Sequence, residues 1–305
     1  MSKTIRIGTR DSELALWQAT TVQSQLEANG YKTELIPVKS TGDLILDKPL
    51  YELGITGIFT KTLDVAMLNG TVDIAVHSMK DVPTALPIGI IQAAVLKRAS
   101  TADILVHKGT PDYKQPCTIA TGSLRRQAQW LNRYPNHTTT DLRGNVNTRL
   151  QKLENSDWTG AIFAKAGLER INVLPENYEI LDWMLPAPAQ GAMLIVALED
   201  DQFCLDACAT LNHKTTALCT YIEREFLKTL EGGCTAPIGA LAEEIGEDIR
   251  FRGVLFSLDG TTKIEVEHVV SKANAIGFGT DCALDILDDG GRELMKEIKK
   301  NIQKK

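Results

Sequence analysis

The sequence predicts an α/β fold: two domains built on mixed, mostly parallel sheets, followed by an α+β domain with a three-stranded antiparallel sheet. Three observations carry this. Short apolar, β-branched runs alternate with amphipathic stretches from Ile5 to about Leu198, the pattern of βαβ units with right-handed crossovers. Pro186–Gly191 reads as a return crossing, so that Met193–Leu198 becomes a buried strand rejoining the first sheet. Beyond residue 213 the alternation stops, and after a Gly232-Gly233 break three strand-like runs are joined by tight turns. A chain of 305 residues is long enough for this plan. The expected domains are 1–98 with 192–212, then 99–191, then 213–305.

Each element follows from local pattern. Ile5–Thr9 is a first strand, Leu14–Asn29 an amphipathic helix closed by Gly30, and Thr33–Lys39 a second strand. Residues 41–49 form a loop. Phe59, Leu63, Ala66 and Met67 fall at helical spacing before Gly70, and Ile74–Val76 is a short buried strand. Ile90–Leu96 is the next strand, and Lys97–Thr101 a linker. In the second domain a strand ends at Ile119-Ala120, and Thr121-Gly122-Ser123 opens a helix reaching Tyr134. Thr138–Leu142 leads through Arg143-Gly144-Asn145 into a helix ending near Leu153, and Ala161–Ala164 leads into Gly167-Leu168-Glu169-Arg170. Thr215–Leu230 is a long helix with Leu218, Tyr221, Ile222 and Phe226 on one face. Ala236–Ala242, Ile249–Leu258 and Thr262–Val270 form the meander, and one helix, Cys282–Ile298, closes the fold.

Composition narrows the function classes. Hydrophobic residues at 43% and charged residues at 24% are ordinary for a globular protein. A formal net charge of −6 argues against a general nucleic-acid or anionic-membrane surface. The longest apolar run, around Ala192–Leu198, is far short of a membrane span. No apolar signal segment opens the sequence, and six cysteines at irregular spacing make neither a disulfide framework nor a metal knuckle. The expectation is a reducing, cytoplasmic setting with no metal. No phosphate-binding glycine motif supports a nucleotide.

The chemistry concentrates at strand ends. The Ile74–Val76 strand runs into Ser78-Met79-Lys80-Asp81, with Pro83 barring continuation. That presents a hydroxyl, an ammonium and a carboxylate at the sheet edge where ligands bind in open α/β folds. Asp81 is a candidate for proton exchange and for stabilising a developing cation. His77 could act as a base, but a histidine there is more often a hydrogen-bonded structural residue. Arg10 ends the first strand, and Arg125, Arg126, Arg143, Arg149 and Arg170 lie in or after the βα loops of the second domain. Guanidinium groups beside helix N-termini recognise carboxylates or phosphates. Six such positions in a net acidic chain imply a polyanion larger than one phosphate. Cys234 follows Glu231-Gly232-Gly233, where the glycines permit a projecting sulfur. A small apolar side chain in a turn is the plainer alternative. Cys204 and Cys208, one helical turn apart, and Cys219 suit core packing.

Several strings, in order along nearly the whole chain, resemble the porphobilinogen deaminase (hydroxymethylbilane synthase) family: Gly8-Thr9-Arg10, Ala75–Pro83, Ser123-Leu124-Arg125-Arg126, Leu142-Arg143-Gly144-Asn145, Gln190-Gly191-Ala192 and Glu231-Gly232-Gly233-Cys234. The resemblance implies two domains like those of periplasmic binding proteins plus a cysteine-bearing third domain. It implies a transferase that joins four porphobilinogen molecules head to tail with release of ammonia, then hydrolyses off hydroxymethylbilane for haem biosynthesis. Its dipyrromethane primer would be a thioether on Cys234. Asp81 would be catalytic, assisting deamination, stabilising the azafulvene cation and helping to remove the α-proton. Cofactor contacts would come from Ser78, Lys80, Asp81, Thr121, Ser123, Arg125, Arg126, Arg143, Gly144 and Asn145. Substrate contacts would come from Arg10, Ser12, Arg149, Arg170 and Gln190. A monomer passing its product to uroporphyrinogen III synthase is the implied setting. Two lysines frequent in the family are Thr56 and Glu52 here, and the Thr-Ser-Ser before the paired arginines is Thr121-Gly122-Ser123. Two rivals stand beside this reading. A two-lobed small-anion binding or sensing protein is disfavoured by the cysteine loop, and a Cys-nucleophile acyl transferase lacks a His/Asn context.

Overall fold

The computed structural model describes residues 3–39, 60–231 and 236–303. The chain divides into two compact units. Of the described residues, 3–39, 60–99 and 191–217 belong to the first, and 100–190, 218–231 and 236–303 to the second.

The first unit opens with β1 (Thr4–Arg10), α1 (Glu13–Ala28), β2 (Lys32–Val38), α2 (Lys61–Leu68), β3 (Ile74–Ser78) and β4 (Ile90–Val95). Helix α1 buries Ala15, Ala19, Val22 and Leu26, a stripe at three- and four-residue spacing. It stops where Gly30 takes a left-handed φ of 89°. There Gly30 N–H donates to the Glu27 carbonyl and Tyr31 N–H to the Leu26 carbonyl, satisfying orphan acceptors of the last turn. Helix α2 ends at Gly70 in the same way.

The second unit begins with β5 (Asp103–His107), β6 (Thr118–Ala120), α3 (Leu124–Arg133), β7 (Thr138–Thr140), α4 (Val146–Glu154), β8 (Gly160–Ala164), α5 (Lys165–Arg170) and β9 (Tyr178–Ile180). Strands β5 and β9 are additions to the sequence reading, which starts this sheet at Ile119. Only three apolar residues, Ile104–Val106, mark β5, too few for period to distinguish strand from linker. The sheet order is β7-β6-β8-β5-β9, with β6 parallel to β7 and β8, and β5 antiparallel to both of its neighbours.

The chain then returns as β10 (Met193–Leu198) and α6 (Gln202–Ala209). As expected, β10 enters the first sheet, whose order is β2-β1-β3-β10-β4. It runs antiparallel to β3 and β4, while β1 is parallel to β2 and β3. Each five-stranded sheet therefore has four strands pointing one way and a single reversed strand, which is the mixed, mostly parallel architecture anticipated above. Cys204 and Cys208 of α6 are fully buried in the core of this unit.

Helix α7 (Lys214–Thr229) leads to β11 (Ile238–Ile245), β12 (Asp248–Phe256), β13 (Lys263–Ser271), α8 (Phe278–Ile286) and α9 (Arg292–Gln303). The three strands form the anticipated antiparallel meander. Ile222 and Phe226 of α7 are fully buried, with the Phe226 ring 5.0 Å from that of Phe251 on β12. The single closing helix expected from the sequence is two, broken at Asp289-Gly290, where Gly290 has φ 93°. No apolar side chain stands between Leu287 and Leu294, and Asp289-Gly290-Gly291 is a local breaker signal that the one-helix reading passed over. The β12–β13 turn rests on α3: a Cβ on Gly260 would meet the Ala128 carbonyl at 2.3 Å, and Asn132 Nδ2 donates to the Gly260 carbonyl at 2.8 Å.

Helices α7 and α8 approach closely at Gly279, where a Cβ would lie 2.1 Å from the Ile222 carbonyl oxygen. Gly279→Ala is expected to lower stability by about 1–3 kcal/mol through overpacking. Urea denaturation would check this, and a loss within error of zero would show that the two helices separate freely.

Candidate active site

In the first unit, β1 and β3 run parallel, so both deliver their C-terminal ends to one edge of the sheet. Arg10 and Ser12 follow β1 there, while Ser78 ends β3. A short 3₁₀ turn, Met79–Asp81, begins at once, anchored by Met79 N–H donating to the Ala192 carbonyl at 3.0 Å. These groups converge: Arg10, Ser12, Ser78 and Asp81 line a cavity of about 70 Å³, together with Gln18, Thr60 and His77. Lys80 lies in the same turn, half-buried, outside that lining.

Two members of this cavity change the sequence reading. Gln18 is buried on the inner stripe of α1, and its Nε2 donates to Ser78 Oγ at 2.9 Å, fixing the hydroxyl. A lone amide among Ala15, Ala19 and Val22 was the signal available for it. His77 is buried, and its Nε2 has no hydrogen-bond partner among the described residues, unlike the hydrogen-bonded residue expected. Burial, reinforced by the positive charge of Arg10, holds its pKa down at about 4. It is therefore neutral at neutral pH, and Asp81 is the cavity's carboxylate.

In the second unit, β6, β7 and β8 are mutually parallel and send three loops to one edge. Thr121 and Ser123 follow β6, and Ser123 Oγ caps α3 by accepting from Arg126 N–H. Arg143, Gly144 and Asn145 follow β7, and Asn145 Oδ1 caps α4 by accepting from Thr148 N–H at 2.9 Å. Arg170 ends the short helix after β8. The first two loops touch, since a Cβ on Gly122 would meet the Leu142 carbonyl at 2.5 Å. A side chain at position 122 would require these two loops to separate. Arg149 Nε donates to the Gly144 carbonyl at 2.8 Å, drawing its guanidinium over the loop. Burial lowers the pKa of Arg143, with Asp141 partly offsetting it, and brings Arg170 down to about 10 against the pull of Glu169. All of these arginines stay cationic at neutral pH.

Arg125 and Arg126 are almost wholly buried, and their ion-pair partner is internal. Arg126 donates through Nε and Nη2 to Asp103 Oδ1, at 3.1 and 2.8 Å, and through Nη1 to the Ile162 carbonyl. Arg125 Nη1 lies 2.7 Å from Asp103 Oδ2 and donates to the Leu185 carbonyl. Arg125 Nε is buried without an acceptor among the described residues. Burial opposes ionisation of Asp103, but the two guanidinium groups outweigh it and hold the carboxyl well below the usual range. Gln190, fully buried, donates from Nε2 to the same Oδ1 at 2.8 Å. Asp103, like Gln18, is a residue that sequence reasoning missed, here because the strand it opens was missed. Cys234, Thr56 and Glu52 lie outside the described residues. Cys117, Cys204, Cys208, Cys219 and Cys282 are buried and free of disulfides.

The His77 shift has a sign that can be measured. Between its unfolded value of 6.5 and its folded value of about 4, the unfolded chain takes up a proton that the folded chain refuses. Stability therefore falls as pH drops through that window, by up to about 3 kcal/mol. Above the window His77 is neutral in both states and contributes no pH dependence. His77→Gln is expected to flatten this part of the profile, as read by urea unfolding across the window. An unchanged slope would assign the acid sensitivity to carboxylates alone.

Comparison with known proteins bears on both edges. Among solved structures, the chain resembles the methionine binding protein MetQ at 12% identity and TM-score 0.45, covering 68% of this chain and 89% of that one. It also resembles the L-cystine solute receptor of Neisseria gonorrhoeae, at 12% identity and TM-score 0.41 over 70% and 87% of the two chains. A relative from Syntrophomonas wolfei, named porphobilinogen deaminase, is 40% identical over 98% of this chain and 100% of its own. Another of that name from Trichlorobacter lovleyi is 39% identical over 97% of each. Residues 5–206 match the family model described as porphobilinogen deaminase, dipyromethane cofactor binding domain, and 217–288 match the model of the C-terminal domain. Matched by both domain models and at nearly full length, the chain belongs to the porphobilinogen deaminase family.

Proposed function

We infer that this chain is a transferase that joins four porphobilinogen molecules head to tail, releasing ammonia at each addition, and then releases hydroxymethylbilane by hydrolysis. The observation that carries this is the full-length family match laid over two sheet edges equipped for anionic ligands. Each pyrrole bears an acetate and a propionate, so the growing chain is a polycarboxylate. The anion-binding alternative is not favoured, because the full-length relatives are deaminases.

The residues present fit a dipyrromethane. The second-unit edge offers two capped helix N-termini, cationic Arg143, Arg149 and Arg170, and the buried, acceptor-free Nε–H of Arg125. When bound, the dipyrromethane supplies the nucleophilic pyrrole from which the chain grows. Thr121, Ser123, Arg125, Arg126, Arg143, Gly144 and Asn145 would hold its carboxylates at this edge, with Ser78, Lys80 and Asp81 as further contacts. Arg10, Ser12, Arg149, Arg170 and Gln190 are the proposed substrate group, with Gln190 acting through Asp103. Asp81 would stabilise the cation formed on the substrate as ammonia leaves and then take up the α-proton. Gln18 would keep the Ser78 hydroxyl oriented for it.

Cys234 is the proposed attachment point. Burial pushes the Cys204, Cys208 and Cys282 thiols up, the last two to about 12, where almost no thiolate exists at neutral pH. The three-domain division, 1–98 with 192–212, 99–191 and 213–305, draws support from a main apolar core in each part, while a small cluster of Ala128, Val254 and Phe256 joins the last two. No helix among the described residues is long and apolar enough to cross a membrane. A cytoplasmic monomer handing its product to uroporphyrinogen III synthase is the setting we propose.

Two measurements test this reading. Asp81→Asn is expected to keep the fold and the cofactor while turnover falls by about 10²–10⁴-fold, the range for loss of a positioned proton-transfer group. Bilane formation within a few-fold of wild type would remove Asp81 from the chemistry. Denaturing mass spectrometry should find the intact protein heavier than its sequence by two linked pyrroles, an excess that strong reductant leaves in place and Cys234→Ala abolishes. Active protein at the bare sequence mass would overturn the cofactor assignment.

A further inference from the structure

A buried path connects the C-terminal sheet to the paired arginines. Glu223, on α7, is fully buried, and its two carboxylate oxygens accept from separate backbone segments. Oε1 accepts from Ala242 N–H on β11 at 2.8 Å, and Oε2 accepts from Ala189 N–H at 2.6 Å. A carboxylate withdrawn from water is costly unless its lone pairs are satisfied, so both bonds resist loss. Ala189 has φ 61°, in the left-handed region that a residue with a Cβ rarely adopts. The Glu223 bond holds the backbone there. The next side chain, Gln190, is thereby directed inward, where Nε2 donates at 2.8 Å to both the Thr101 carbonyl and Asp103 Oδ1. Asp103 in turn pairs with Arg125 and Arg126 at the start of α3.

We propose that Glu223 is a positioning residue for the arginine pair, acting through the Ala189 backbone, Gln190 and Asp103. The proposal rests on the deaminase reading for what the arginines bind, namely pyrrole carboxylates. It gives the C-terminal part of the chain a role in substrate affinity that no contact of its own with substrate would require. A purely structural Glu223 would affect stability and nothing else. A positioning Glu223 acts where the strained backbone is, and relief of that strain should substitute for it.

The experiment compares wild type, Glu223→Gln, and Glu223→Gln combined with Ala189→Gly, all as cofactor-bearing protein. Glu223→Gln replaces one acceptor with an NH₂ group facing a backbone donor. The expected result is a KM for porphobilinogen raised about three- to tenfold with kcat within about twofold, the signature of binding shared by ground and transition states. Adding Ala189→Gly should return KM to within about twofold of wild type, because glycine adopts the left-handed conformation without a clamp. Backbone hydrogen exchange should rise in Glu223→Gln at residues 187–190 and at the start of α3, and fall again in the double variant. A lowered melting temperature with unchanged KM and unchanged local exchange would overturn the proposal, as would a KM that Ala189→Gly fails to restore. Should Glu223→Gln not fold, Glu223→Asp shortens the same clamp by one methylene and withdraws the carboxylate from the Ala189 and Ala242 N–H groups. A raised KM then supports it and an unchanged KM overturns it. Wild type that forms no bilane would refute the deaminase reading, while the exchange measurements would still judge the path.

Discussion

The buried carboxylate of Asp103 organises the second unit. It sits at the start of β5 with no exposure to solvent, and two guanidinium groups and one amide converge on it. Removing any one of these partners would leave a charge or a donor stranded in low dielectric, a far larger cost than the loss of a surface ion pair. The arrangement is therefore cooperative. Asp103 compensates the arginines, the arginines keep Asp103 ionised, and Gln190 ties both to the return crossing. Arg126 spends three of its five N–H groups inside this cluster, whereas the buried Nε–H of Arg125 has no acceptor among the described residues.

Strand direction explains how function is distributed over the rest of the chain. A parallel sheet delivers its βα loops to a single edge, so residues far apart in sequence meet without long excursions. In the first unit this unites Arg10 with Asp81, and in the second it unites Ser123 with Asn145. Both loops that begin α3 and α4 are capped by their own side chains, leaving backbone N–H groups directed at the edge beside the arginines. The reversed strands β10 and β5 serve a different purpose. Each is inserted beside the last parallel strand and extends its sheet, β10 bringing the chain back into the first unit after the second five-stranded sheet has been built.

The C-terminal sheet has its own apolar core, yet it also takes part in the second unit. Its hairpin turn lies against the backbone of α3, and Glu223 bonds both to β11 and to the return crossing. The helix carrying the paired arginines is thus held at both ends: by Asp103 at its start and by Gly260 near its end. Such double anchoring suits side chains that must present charge in a fixed direction to a ligand carrying many carboxylates.

Much of this protein was legible in its sequence because the relevant signals are local. Alternating strand and helix periods gave the fold class, Gly30 and Gly70 gave helix ends, and the polar residues after each strand gave the candidate site. Parallel sheets put such residues at one edge by necessity, so Arg10, Ser12, Ser78 and Asp81 could be grouped before any coordinate was known. The packing decided what local pattern could not express. Strand β5 has too few apolar residues to announce itself, so Asp103 and the inward turn of Arg125, Arg126 and Gln190 toward it were invisible. The burial that neutralises His77 and the pairing of Gln18 with Ser78 depend on neighbours about sixty residues away. Residue type and spacing determined which groups carry the chemistry, and tertiary contact alone decided which of them are turned inward, because desolvation and pairing are properties of surroundings that a linear chain does not contain.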